Sequence, residues 1–398
     1  MQYQNTISNL IFSSCLIITI IAFTSLIFPA FLIEMSNDLI KKEVNIFELG
    51  GWALPLIISN AIFLILYFFY RKNKLTIFKK QINFINKNDI SKRISSIIIL
   101  ILIVIYIIFS IDEFQREEFE FGDYAGVEKA AKDYNFEASK IFSSHIKYLF
   151  LNISYVLFDN LRILPFLASI SLLLVTYFLT LEITKKRFAA IISFTVLLQS
   201  NLFLLFDTTS TYENSWTLFY FISLYLIFKK PIGSHIAFIL SIMSKALVIT
   251  LLPINLFAIS INGISKRNKI FLLVGYCVLI SLILIAIATN NLAHSEKMDF
   301  DINRFIESMN EFGNSMRYES LILVMFIPTL LLLKSKTKLI RDKINFIFIA
   351  ISFAIISQPI MNVVIDMTLQ PYRFIPLIVF SAISIGMIFS KTNTLDQQ

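Results

Sequence analysis

Residues 94 to 113 read ISSIIILILIVIYIIFSIDE, and the apolar run stops abruptly at Ser110-Ile111-Asp112-Glu113. A helix needs roughly 20 predominantly apolar residues to cross ~30 Å of hydrocarbon, and this run meets that requirement without an internal charge. It reads as a membrane span ending in two adjacent carboxylates. Runs of the same kind recur in both directions, at 7–33, 49–70, 161–183, 188–206, 215–228, 270–289, 319–333, 344–365 and 374–389. A hairpin within 232–261 adds two more crossings. The expected fold is therefore all-α, a polytopic transmembrane helical bundle of about twelve spans, within a range of about eleven to thirteen.

Composition agrees with this reading. The 398 residues are 57% hydrophobic and 16% charged, with a mean hydropathy of +0.74. Only nine glycines are present, and neither GxGxxG nor GxxxxGK[ST] occurs, which excludes a soluble nucleotide-binding module. Cys15 and Cys277 both fall inside apolar runs and read as buried thiols. The first run lacks a basic leader and a small-residue cleavage site, so it reads as a retained helix.

Sidedness follows from Lys and Arg, which accumulate in cytoplasmic loops. The segment Arg71 to Arg93 carries eight of them against the single acid Asp89, and so is assigned to the cytoplasm. Alternation places Lys185-Lys186-Arg187, Lys229-Lys230, the Lys266 to Lys269 group and the Lys334 to Lys343 cluster on that same side. The acidic loops 34–48, 112–160 and 290–318 fall outside, and both termini inside. The net charge of +8 is thus polarised across a membrane, which argues against nucleic acid as a partner. Three stretches follow: an N-terminal helical pair with a basic loop (1–93), a transmembrane core carrying the long outer loop 112–160 (94–290), and an outer loop with C-terminal spans (291–398).

Two regions depart from plain spans. From Ile141 to Leu157 apolar residues recur at helical spacing, with Ser143, Ser144, Lys147, Asn152 and Ser154 opposite them, as in a helix lying in the outer interface. The run 232–261 has Lys245 at its centre. A lysine at that depth costs roughly 2.5–3.5 kcal/mol unless the chain turns there or the amine lines a wet cavity.

Chemistry is sought where charges gather. Asp112 and Glu113, at the lip of a rigid helix, are placed to accept a proton from a hydroxyl or to hold a divalent metal ion; the bland reading is a solvated helix end. The acidic stretch that follows contains Asp123. A second polar loop runs from Asp207 through Thr208-Thr209-Ser210-Thr211-Tyr212 to Glu213, suited to a sugar or phosphate contact or to an ordinary turn, with Asn214 or Ser215 capping the next helix. Arg162, Lys245 and Arg373 are cations on the otherwise acidic side, where they could hold a phosphate. Against this, Asp159 and Arg162 are spaced to satisfy each other, and Arg373, beside Tyr372, could simply snorkel to the interface. His145, His235 and His294 lack metal-ligand spacing, although His145 on the interfacial helix is a site candidate.

In order and sidedness these features resemble the GT-C superfamily of integral-membrane glycosyltransferases. The branch is that of the protein mannosyltransferases, the RgtA/B/C/D-like enzymes and the lipid-A aminoarabinose transferases. The resemblance rests on Asp112-Glu113 after an early span, a long first loop with interfacial helices, and Asp159-Asn160-Leu161-Arg162-Ile163-Leu164-Pro165 opening a span. It also rests on the polar loop to Glu213 before Trp216, on Met243-Ser244-Lys245-Ala246, and on Pro371-Tyr372-Arg373-Phe374. It covers about residues 94–260 and the end of the chain, and departs from the family in having two spans before the acidic pair and Ser144-His145-Ile146 where a His-Pro-Pro element is usual.

The resemblance implies a hexosyl- or pentosyltransferase. Asp112 would be the catalytic or metal-binding carboxylate with Glu113 its neighbour, Asp207 or Glu213 the second-loop acid, and Mg or Mn the metal if one is used. Independently, acids on the outer face have no access to cytoplasmic nucleotide sugars, so the expected donor is a polyprenyl-phosphate-linked sugar dissolved in the membrane lipids. The acceptor would be a glycan, a lipid or a protein. Three rivals are a lipid-linked saccharide transporter or flippase, which would place charges near the midplane of repeated halves, a polysaccharide polymerase, for which the loop 290–318 leaves room, and a membrane scaffold without catalysis, whose outer-face carboxylates could be neutralised without consequence.

Overall fold

A computed structural model describes all residues except 1, 32–44, 46, 73, 77–79, 81–83, 86–87, 117, 119–121, 135–144, 289–299, 365–369 and 391–398. Most of the acidic loop 34–48, part of the acidic stretch before Asp123, the start of the interfacial helix and His294 therefore lie outside the described residues. All regular structure among the described residues is helical. The α-helices are α1 Gln2–Ile27, α2 Ala53–Arg71, α3 Lys92–Ser110, α4 Tyr124–Lys132, α5 His145–Phe158, α6 Ile163–Thr184, α7 Arg187–Leu198 and α8 Asn201–Phe206. They continue with α9 Ser215–Lys229, α10 Ser234–Ser244, α11 Leu252–Ile261, α12 Lys266–Ala288, α13 Asn303–Met316, α14 Leu321–Ser335, α15 Thr337–Val364 and α16 Ile375–Met387. Short 3-10 turns cover Ile111–Gln115, Ala246–Leu251 and Pro371–Phe374.

Among the described residues five helices are long and apolar enough to cross a membrane: Asn5–Ile27, Ala53–Tyr70, Lys92–Gln115, Ile163–Thr184 and Ile340–Val364. A sixth is added if α13 and α14, bent by 117°, make one span. Their surfaces support the same conclusion. Along α3, Ile97, Leu100, Ile101, Val104, Ile108 and Phe109 are exposed, Phe109 at 80%. Such a continuous apolar surface is unstable in water and at home in lipid. Several runs expected as single crossings are interrupted. The run 188–206 breaks at Gln199 and Ser200 between α7 and α8, and the 15-residue α9 is followed by Lys230-Pro231. At 1.5 Å per residue such helices fall short of ~30 Å by themselves.

The chain forms two compact units. The first comprises Met1–Ser95, Ile183–Leu202 and Lys297–Gln398. Within it α16 packs on α7 and α1 on α13 and α15. Glycine makes two of these approaches possible: a Cβ on Gly386 of α16 would lie 2.0 Å from Ser193 Oγ and 2.5 Å from Ala189 O, and one on Gly313 of α13 would lie 2.5 Å from Ser25 O of α1. The second unit comprises Ser96–Glu182 and Phe203–Glu296. Here α9 packs along α10, and α11 and α12 pack beside them. A buried polar cluster joins all four: Asn255 Nδ2 donates to Ser223 Oγ (3.0 Å) and Tyr276 OH (2.8 Å), and Ser234 Oγ lies 2.9 Å from Tyr276 OH. In an apolar unit these groups have no water to turn to and so must pair with one another.

Helix α5 is the described part of the expected interfacial helix. His145, Leu151 and Ser154 are buried, whereas Ile153, Val156 and Leu157 face outward, Val156 at 70% exposure. Polar groups find partners inside the unit, and the aliphatic stripe faces outward, as lipid requires. Lys245 sits at a break. Helix α10 ends at Ser244, Lys245 is extended (φ −157°, ψ 115°), and a 3-10 turn follows, so the lysine does not stand in the middle of a continuous span.

Candidate functional site

The second unit brings the first and second polar loops together. Near its end α3 carries Tyr106, 4% exposed and packed 5.0 Å from the Phe166 ring. Its hydroxyl donates a 2.5 Å hydrogen bond to Asp207 Oδ2, just beyond α8. Asp207 is 2% exposed, and its other oxygen, Oδ1, is buried with no hydrogen-bond partner among the described residues. Burial pushes the Asp207 carboxyl up to about 8; the Tyr106 hydrogen bond acts against this and the nearby charge of Glu113 adds to it. The carboxyl therefore retains a proton to near-neutral pH.

Beyond Ser110 the span tightens into the 3-10 turn carrying Asp112 and Glu113. Glu113 Oε2 accepts a 2.7 Å hydrogen bond from Thr208 Oγ1, next in sequence to Asp207. Asp112 is exposed, and its side chain makes no hydrogen bond or ion pair among the described residues. One acid of the pair is thus turned inward to the second loop, and the other is left at the lip.

Glu118 holds this arrangement in place. Completely buried, its Oε1 accepts from Ser210 N (2.5 Å) and Ser210 Oγ (2.9 Å), and its Oε2 from Thr211 N (2.9 Å) and Thr211 Oγ1 (2.7 Å). Arg162 Nε completes the set at 3.2 Å from Oε1. The partner of Arg162 is accordingly Glu118, where spacing suggested Asp159, and its Nη1 also donates to Glu113 O. A guanidinium so engaged orients the loops whatever else it binds. Lys147 Nζ donates to Thr211 O (2.6 Å), and Tyr212 OH to Asp123 Oδ2 (3.1 Å), so Asp123 also meets the second loop.

The other candidates stand apart in role. Glu213 is buried and accepts the N–H of Ser215 at the start of α9, taking the capping role expected of Asn214 or Ser215. Asn214 instead donates to Ser169 Oγ (3.2 Å), which itself donates to Asp207 O (2.8 Å). His145 is buried at the first turn of α5, and Lys245 is half-buried at the α10 break. In the first unit, Tyr372 is buried and the Arg373 guanidinium lies 5.8 Å from its ring centroid. Arg373 Nε reaches Tyr372 OH at 3.4 Å, and Nη1 is buried without a hydrogen-bond partner among the described residues.

Glu113 is directed at Thr208, and among the described residues no three His, Cys, Asp or Glu side chains converge as ligands. Two important residues were not singled out from sequence. Tyr106 is the only residue between Ile97 and Phe109 with a polar side-chain atom, a signal that could have been used. Glu118 is one of several acids in a row, and nothing local distinguishes it.

The fold and this polar nest define an all-helical protein with several membrane-length helices, consistent with an integral membrane bundle. Comparison of the chain with protein-family models, curated proteins and solved structures finds no match.

Proposed function

We propose that the protein is a membrane glycosyltransferase that moves a sugar from a polyprenyl-phosphate donor to an acceptor hydroxyl on the outer face, with both termini cytoplasmic. The observation that carries this reading is the joining of acids from two distant loops at the end of a membrane-length helix, through Glu113 to Thr208 and Tyr106 to Asp207. A helix end with no further role leaves both its acids in solvent; here Asp112 is exposed and Glu113 is held by the second loop.

In this reading Asp112 takes the proton of the acceptor hydroxyl. The freed oxygen attacks the anomeric carbon, and the bond from that carbon to the phosphate oxygen breaks, its electrons leaving on the polyprenyl phosphate. Lys245 is the cation of the second unit assigned to the departing phosphate. Glu113 and Asp207 hold the loops in register behind Asp112.

The test is transfer from a radiolabelled polyprenyl phosphate sugar by the full-length protein in lipid nanodiscs. Asp112→Asn should abolish transfer with expression and melting temperature unchanged. Undiminished transfer in that variant would remove Asp112 from the role, and labelling of residue 112 from the cytoplasm of intact cells would refute the sidedness.

A further inference from the structure

A cavity of about 160 Å³, open to the outside, lies in the second unit between the 3-10 turn after α3, helix α4 and the turn from Asp159 to Arg162. Its walls are held by the fold itself. Asn152 Nδ2 donates to Ala131 O (2.9 Å), tying α5 to α4, and Val127, Ala131, Leu151 and Leu161 form a small core against which Tyr155 packs. Asn160 Nδ2 donates to Phe114 O (2.9 Å) and Ser154 Oγ to Asn160 O (2.6 Å), so the turn is fastened at both ends. Within that turn Asp159, just past the end of α5, adopts φ +51°, a left-handed conformation that aspartate takes more readily than most non-glycine residues.

The lining selects the chemistry of an occupant. Phe114, Tyr124 and Tyr155 supply aromatic surface and Gln115 an exposed amide, while Asn160 and Ser210 line the wall with side chains already held by Phe114 O, Arg162 N and Glu118. Charge is nearly balanced. The Lys132 ammonium is 2.7 Å from Glu128 and lies 4.9 Å from the Tyr155 ring centroid, and Arg162 is engaged by Glu118. That leaves Arg116 and Asp159, opposite in sign, without a charged partner among these pairs. An anion would need an excess of cations, and an aliphatic ligand would leave the polar rim unpaired. A pyranose satisfies both halves: its C–H face packs on aromatic rings while its hydroxyls pair with amide, carboxylate and guanidinium. The volume is below the roughly 300–1,000 Å³ of drug-sized sites and suits one small ring.

We infer that this cavity binds a single uncharged sugar residue, that of a glycan acceptor. The acceptor role rests on the transferase reading; the binding itself does not. The experiment is saturation-transfer NMR on the full-length protein in phosphatidylcholine nanodiscs. The probes are the methyl glycosides of glucose, galactose, mannose, rhamnose, N-acetylglucosamine and N-acetylgalactosamine.

Saturable binding of at least one glycoside is expected, weakened about tenfold or more in both Tyr124→Leu and Gln115→Ala. Gln115 is exposed, so its replacement leaves the fold intact. Absence of saturable binding, binding undiminished from the wild type in both variants, or displacement by equimolar inorganic phosphate would each overturn the inference. Asp112→Asn separates the two readings, because it should remove transfer and keep glycoside binding. Glycoside binding without any transfer by the wild type would sink the transferase reading alone, and transfer to glycan acceptors unaffected by both cavity variants would sink the cavity's role alone.

Discussion

The Tyr106 hydroxyl donates to Asp207 Oδ2 at 2.5 Å, linking the end of a membrane-length helix to a loop 101 residues further along the chain. Both residues are buried, and the second oxygen of Asp207 lacks a hydrogen-bond partner among the described residues. The pair therefore governs both the protonation of the loop and its position.

Tyr106→Phe removes the donor while keeping the ring against Phe166. An unpaired buried acceptor costs about 1–3 kcal/mol, so the melting temperature in detergent should fall. Because this hydrogen bond opposes the rise of the Asp207 pKa, the variant should also move any pH dependence due to Asp207 upward from about 8. A pH profile of stability or transfer that stays in place would contradict the coupling.

The sign of the Asp207 effect on stability is set by its raised pKa. The folded state keeps a proton up to about pH 8, whereas the unfolded chain releases it near the ordinary value of 3.8. Between these limits the folded state binds more protons, so this group's contribution falls as pH rises through that window. Asp207→Asn should flatten this part of the stability curve. Denaturant titration across the window measures it, and an unchanged slope would mean that Asp207 does not titrate there.

Glu118→Ala strands four loop donors and the Arg162 guanidinium. Breaking a buried pair of this kind costs about 3–5 kcal/mol. Hydrogen exchange at Ser210 and Thr211 should accelerate far more than exchange in α9. Glu118→Gln, which keeps one carbonyl acceptor, should show an intermediate effect.

Gly313→Ala places a methyl group 2.5 Å from the Ser25 carbonyl oxygen. Overpacking of this sort costs about 1–3 kcal/mol, because two helix backbones must separate. Gly126→Ala, whose added carbon meets nothing within 4 Å, is the control, and melting temperatures of the two variants should separate clearly.

Much of the architecture was legible because lipid imposes a local rule. Any stretch such as 94–111 that lacks charge and exceeds the membrane thickness has to be a helix, and the break at Lys245 follows from the cost of a buried ammonium. The meeting of Glu113 with the second loop was less accessible. Spacing presented Arg162 with Asp159 three residues away, yet folding gave it Glu118, 44 residues away. Local spacing ranks neighbours along one helix; at Asp159 the chain leaves the helix with φ +51°, so that rule no longer applies.

By itself, then, the sequence determined the helical class, the apolar lengths and the places where charge interrupts them, since burying an unpaired backbone or charge in hydrocarbon is costly wherever it occurs. Only the tertiary structure decided which acid is exposed and which is held. Asp112 and Glu113 are adjacent and chemically alike, and their different environments arise from Thr208, contributed from 95 residues beyond Glu113.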